Sequence, residues 1–217
     1  MKYQLLIFDW DGTLSDSAAQ IVNAMQGAIR GLSLPTRSDE SIRELIGLGL
    51  NEALTRLYPE IELDHLQSLL KSYRAQWLSE GAGEAPLFTG AIEALQQLDT
   101  SGHRLAIATG KSRKGLNRSL RHHLQVHQLI SSSRTADETA SKPDPLMLKE
   151  LLQEHDLPAE AALMIGDTEY DVEMARSIGM HAVGVTCGVH DGGRLQRAGA
   201  TVLLEDVGQL PAWLAVP

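Results

Sequence analysis

Apolar and polar positions change period twice along the chain. Gln4-Leu5-Leu6-Ile7-Phe8 is a short apolar run of the length and type of a buried strand. From Asp16 to about Glu80 the pattern is helical, with no convincing strand. Ile21, Val22, Met25, Ala28 and Ile29 share one face of a helix that Asp16 or Ser17 can cap and that runs to Gly31. A second helix follows Pro35, with Ser38 or Asp39 as cap and Ile42, Leu45 and Ile46 on its apolar face, until Gly47-Leu48-Gly49 interrupts it. Helix resumes from Leu50 to Tyr58 and stops at Pro59. Leu63, Leu66, Leu69, Leu70, Tyr73 and Trp77 then mark a long amphipathic helix, with Tyr73 and Trp77 read as a packing stripe. Gly81 to Pro86 reads as a flexible return.

The remainder alternates. Strands are predicted over 104–108, 161–165 and 182–185, with weaker candidates at Leu129-Ile130 and Thr201-Val202-Leu203. Helices are predicted over 90–98, from Ser112, and over 145–154, 169–178, 192–198 and 207–214. This order implies an α/β protein: a Rossmann-like, mostly parallel sheet flanked by helices, with an inserted all-helical cap domain. The expected core is residues 1–15 and 83–217, and the cap is 16–82. Ligands of such sheets sit at the carboxyl ends of the strands. Asp9, Asp11, Thr109 and Asp167 each follow an apolar run, so the fold would gather them on one rim.

Composition narrows the function classes. Of 217 residues 43% are hydrophobic and 22% charged, an ordinary globular mixture. The formal charge of -9 argues against a nucleic-acid-binding surface, but not against an anionic substrate beside a metal ion or a few lysines. The single cysteine, Cys187, cannot form an internal disulfide and reads as packing in a reducing cytosol. Met1-Lys2-Tyr3 leads straight into a strand and no apolar run approaches a bilayer's thickness, so a cytoplasmic protein without membrane contact is expected. The cluster His122, His123 and His127 has no cysteine or carboxylate at zinc-like spacing and reads as surface.

The chemistry concentrates in Asp9-Trp10-Asp11-Gly12-Thr13. Two carboxylates two residues apart raise each other's proton affinity unless a cation or donors compensate, and hard divalent cations take oxygen ligands. Thr109-Gly110-Lys111 opens a helix, where a hydroxyl and a backbone N–H suit an anion. Lys142-Pro143-Asp144-Pro145 places a lysine ahead of another helix. Gly166-Asp167-Thr168-Glu169-Tyr170-Asp171 puts two acids one turn apart at the start of a third.

These four segments, in this order, resemble the four motifs of the haloacid dehalogenase superfamily, whose commonest members are magnesium-dependent phosphatases. The resemblance implies Asp9 as nucleophile, forming an aspartyl-phosphate, and Asp11 as general acid and base. It implies Thr109 and Gly110 as phosphate donors, and Lys142 as the charge that neutralises the phosphoryl group. Mg2+ would be held by Asp9, the Asp11 carbonyl and Asp167. Asp171 is expected just behind these ligands, orienting Lys142 or a metal-bound water.

The cap resembles that of the subgroup containing phosphoglycolate phosphatases. Arg43 with Ile46-Gly47-Leu48-Gly49 looks like their cap loop, with Arg43 placed to meet a substrate carboxylate and Gly47 to let the backbone approach it. The implied substrate is a small phosphorylated metabolite, 2-phosphoglycolate first. Other phosphatase substrates remain open, sugar phosphates or nucleotides. A β-phosphoglucomutase-like transferase is disfavoured by Ile21, where such mutases carry histidine, and Lys71 is badly placed for a phosphonate hydrolase. A non-catalytic phosphate-binding protein would not need Asp9, Asp11, Lys142 and Asp167 together. Trp10 stands where the family usually has an aliphatic residue and is expected to pack into the core. A monomer and a homodimer are both compatible with the sequence.

Overall fold

The computed structural model describes residues 2–77 and 83–216. Six strands form one sheet: β1 (Leu5–Phe8), β2 (Arg104–Thr109), β3 (Ile130–Thr135), β4 (Ala162–Gly166), β5 (His181–Val185) and β6 (Val202–Leu204). Their order is β3-β2-β1-β4-β5-β6 and every pairing is parallel. In the central strand Leu6 and Phe8 enter one core while Leu5 and Ile7 enter the other, which is why β1 is apolar at every position.

Helices cover both faces. The first core is closed by α5 (Ala91–Thr100), α6 (Arg113–His122), α7 (Leu124–Leu129) and α11 (Leu210–Leu214), through Leu95, Leu116, Val126 and Leu210. The second is closed by α8 (Leu146–His155), α9 (Glu169–Arg176) and α10 (Gly192–Ala198), through Leu148, Met174 and Leu195. Trp10 is buried in the first core, as expected, with its ring 5.9 Å from that of His123. His123 is half-buried, its Nε2 3.0 Å from the Ala85 carbonyl, whereas His122 and His127 are exposed. Cys187 packs against the same core, and burial, followed by the nearby Asp167 charge, pushes its thiol up to about 12.

Between β1 and α5 four more helices are inserted: α1 (Ala18–Gly31), α2 (Asp39–Arg43), α3 (Leu50–Leu57) and α4 (Leu63–Trp77). They share their own apolar cluster, built on Val22, Met25, Ile29, Ile42, Leu54 and Leu69. The chain leaves and re-enters the sheet through paired crossings. Asp16 N–H donates to the Pro86 carbonyl at 2.9 Å, and Phe88 N–H to that of Leu14 at 3.0 Å. The expected end of the cap at residue 82, the helical reading as far as Glu80 and the start of the Gly81 return lie outside the described residues.

Three local readings differ. Ser17 occupies the N-cap position of α1 but makes no capping bond; its hydroxyl donates to Asp11 Oδ1 at 2.6 Å. The second cap helix ends at Arg43, so Leu45 and Ile46 sit in the turns after it. The weak candidate at Leu129-Ile130 is the last residue of α7 followed by a full edge strand running to Thr135. Among the described residues no helix is long and apolar enough to cross a membrane.

Candidate active site

The parallel register sets Phe8 level with Ile107 and Ile165, so Asp9 emerges at the carboxyl edge of the sheet between β2 and β4. Its backbone N–H donates to the Ile165 carbonyl at 2.9 Å, which extends the ladder under the carboxylate and holds it rigidly. Lys142, on the loop ahead of α8, is fully buried, and its Nζ lies 2.7 Å from Asp9 Oδ1 and 2.7 Å from Asp171 Oδ1. Asp171 is fixed in turn by a capping box: its Oδ2 accepts from Thr168 N–H at 3.1 Å and from the Thr168 hydroxyl at 2.6 Å. Asp171 thus meets Lys142 with one oxygen while the other is held by Thr168.

Carboxylate oxygens of Asp9, Asp167 and Asp171 lie within 4.8 Å of one another, the one such group among the described residues. Three acids thus face one ammonium in a site closed to solvent. Burial raises Asp9 well above the usual carboxylate range; Lys142 opposes this, and Asp171 and Asp167 add to it. Burial, then Asp171, pushes Asp167 up to about 7 against hydrogen bonds from Val189 and Thr13. Burial would strip the proton from Lys142, but Asp171 and Asp9 outweigh it and hold the lysine charged, above its ordinary value.

The donor set suits a hard divalent cation. Asp9 Oδ2 is buried with no hydrogen-bond partner among the described residues, an acceptor left free on the side away from Lys142. Asp167 is held on both oxygens, Oδ1 accepting from the Thr13 hydroxyl at 2.8 Å and Oδ2 from Val189 N–H at 2.9 Å. Gly12 has φ of 85°, and a Cβ there would fall 2.2 Å from Asp167 Oδ2, so only glycine admits the carboxylate against this turn. The Asp11 carboxylate faces away from the cluster and accepts from Ser17 and, at 2.9 Å, from Lys111 Nζ. Only its backbone carbonyl is left for the ligand role expected of it.

A pH dependence follows from Asp167. Its folded pKa, about 7, exceeds the unfolded value near 4, so between these pH values the folded state holds the extra proton. Metal-free protein is therefore expected to lose stability as pH rises from about 4 to 7, by up to about 4 kcal/mol. Millimolar Mg2+ should remove most of that loss. Urea unfolding at pH 5 and 7.5, with chelator and with Mg2+, reads both; a chelated protein equally stable at the two pH values contradicts the burial of Asp167.

The second motif sits beside this cluster. Thr109 ends β2, fully buried, and its Oγ1 accepts from Lys111 N–H at 3.2 Å, leaving the hydroxyl proton available to an anion. Cap residues press on the same rim. A Cβ on Gly110 would lie 2.6 Å from the Gly47 carbonyl and 2.4 Å from that of Leu48, and Gly49 N–H donates to Ser141 Oγ at 2.8 Å. Tyr170 donates to the Glu44 carbonyl at 3.0 Å, and Arg194 pairs with Glu44 and with Glu169. Arg43 is exposed and does not line the space under the cap, whereas Gly47 does.

That space is a cavity of about 750 Å³ between cap and core, bounded by Asp11, Gly47, Gly110, Lys111, Tyr73 and Trp77 among others. Tyr73 packs on the cap cluster as expected, yet both rings also line the cavity. The Lys111 ammonium lies 4.7 Å from the Trp77 ring, joining Asp11 to the cap. Lys111, Ser17, Thr13 and Val189 thus act at the site without a role assigned from sequence. Thr13 stood inside the first motif, and Lys111 inside the second; Ser17 was marked only as a helix cap, and nothing in the sequence marked Val189.

Comparisons with known proteins match most of the chain. The family model described as haloacid dehalogenase-like hydrolase matches residues 6–185. The chain is 34% identical over 209 residues to the "Probable phosphatase IndB" of Dickeya dadantii (strain 3937), covering 93% of this chain and 89% of that one. It is 28% identical over 215 residues to the phosphoglycolate phosphatase of Vibrio cholerae, covering 95% of each. A crystal structure of a hydrolase from Pseudomonas syringae superposes with a TM-score of 0.85 at 28% identity, covering 98% of this chain and 99% of that one.

Proposed function

The chain belongs to the haloacid dehalogenase-like hydrolases, and from that membership we propose that it is a magnesium-dependent phosphomonoester hydrolase acting on a small metabolite through an aspartyl-phosphate. The observation that carries this reading is the arrangement of Asp9: rigid at a strand end, paired on one oxygen with buried Lys142, and unpartnered on the other. A bound Mg2+, held by Asp9, Asp167 and the Asp11 carbonyl, would draw charge from the phosphoryl oxygens.

The chain's own residues divide the remaining work. Asp9 attacks phosphorus while Lys142 and the Thr109 hydroxyl hold the phosphoryl oxygens, with the Gly110 N–H beside them. Lys142 carries a fixed positive charge where negative charge develops, and Asp171 keeps it pointed there. Asp11, on the cavity side, protonates the departing oxygen and then takes a proton from the water that cleaves the acyl-phosphate. Loop residues 47–49 cover Gly110 and exclude bulk water from the reacting atoms.

2-Phosphoglycolate enters as a candidate through relatives of that name. The test is phosphate release from a panel of small esters, 2-phosphoglycolate included, with Mg2+ and with chelator. Release that requires Mg2+ is expected from at least one ester. Equal release in chelator, or none from any ester, overturns the reading.

A further inference from the structure

The cavity under the cap lies on the Asp11 side of the site. Asp11 and Gly110 line it, but Asp9, Lys142 and Asp167 do not, so it opens on the side where the alcohol departs. Its volume, about 750 Å³, falls within the roughly 300–1,000 Å³ of sites that enclose drug-sized ligands, far more than a two-carbon acid fills. Its cap wall is apolar, made by Met25, Leu45, Leu54, Tyr73 and Trp77.

Its core wall is basic. Among the described residues every acid that lines the cavity is already engaged: Asp11 with Lys111, Glu52 with Arg56 at 2.7 Å, and Asp137 with Arg113 N–H and the Thr135 hydroxyl, each at 2.8 Å. Lys114 and Arg121 line it from α6, and Arg74 from the cap helix α4, and none of the three has an acidic partner among the described residues. A surplus of positive charge beside an apolar wall stands out in a chain of net charge -9.

Resting on the hydrolase reading above, we infer that the ester hydrolysed here has a large apolar leaving group bearing a second negative charge. The apolar body lies along Tyr73 and Trp77, and the charge meets Lys114 and Arg121 on α6. A small hydrophilic ester leaves both walls unmatched.

The test separates binding from turnover. 2-Phosphoglycolate, phenyl phosphate and 4-carboxyphenyl phosphate are titrated calorimetrically into Asp9→Asn protein with Mg2+. 4-Carboxyphenyl phosphate is expected to bind at least tenfold more tightly than 2-phosphoglycolate and several-fold more tightly than phenyl phosphate. Lys114→Gln with Arg121→Gln should erase the advantage of the carboxylate and leave phenyl phosphate unaffected. Trp77→Ala should weaken both aryl esters and spare 2-phosphoglycolate. Equal or tighter binding of 2-phosphoglycolate, or a double substitution that weakens all three esters alike, overturns the inference. The hydrolase reading fails separately, when intact protein releases no phosphate from any ester although the binding order holds.

Discussion

Asp9→Asn is expected to abolish phosphate release, by at least about 10⁴-fold, while raising the unfolding free energy at neutral pH by about 1–2 kcal/mol. Both effects come from one atom change. An amide oxygen can still accept from Lys142, so the local geometry survives, but it is no nucleophile toward phosphorus. The gain in stability comes from the crowding of charge: Asp9, Asp167 and Asp171 face a single buried ammonium, and burial already drives Asp9 toward its protonated form. Removing one of three carboxylates relieves desolvation and repulsion together. The variant should also respond less to Mg2+, because the oxygen left without a partner in the native site is replaced or blocked. Single-turnover phosphate release and thermal unfolding, each with and without Mg2+, measure the three expectations. A variant that keeps turnover would place the nucleophile elsewhere, and one that loses stability would contradict the crowding of charge around Asp9.

Such a trade of stability for chemistry also explains what could be read from the sequence. The strand-end acids were legible because strands covered on both faces must be apolar, so Asp9 after Phe8 and Asp167 after Ile165-Gly166 stand out against their neighbours. Their convergence followed from parallel order alone, since Phe8 has to register with Ile107 and Ile165 for the central strand to be shared. β3 was not legible beyond its first residue. Ile130 is followed by three serines, and an edge strand tolerates them because side-chain partners such as His155, 2.7 Å from Ser132, come from α8 rather than from a second neighbouring strand. α7 escaped because it is six residues long with one buried position, Val126, too short for any period to show.

The cap was legible as helices but not as a binding surface. Tyr73 and Trp77 obey the same spacing whether they face a cap core or a cavity, and the stacking of their rings at 6.2 Å is compatible with both. Only the position of Lys111, contributed from the other side of the interface, decides between them. Ser17 shows the reverse. Its position before α1 is that of an ordinary cap, but its hydroxyl is turned to donate to Asp11, which lies in the turn of the first motif.

Lys142→Met is expected to cost about 3–5 kcal/mol of stability and to lower turnover by at least about 10²–10³-fold. Methionine nearly fills the volume, so the loss isolates the charge. Without the ammonium, Asp9 and Asp171 face each other in a site closed to solvent, and each loses a contact of 2.7 Å. The penalty is that of carboxylates left buried and unpaired, larger than the net worth of the pairs themselves. Adding Asp171→Asn to Lys142→Met should therefore restore a substantial part of the stability while leaving turnover as low as in the single variant. That non-additivity separates the lysine's two roles, because a purely structural lysine would give back activity with stability. Urea unfolding and phosphate release on the two single variants and the double variant complete the cycle. Additive stabilities, or a Lys142→Met protein as stable as the parent, would mean that Lys142 does not hold Asp9 and Asp171 together.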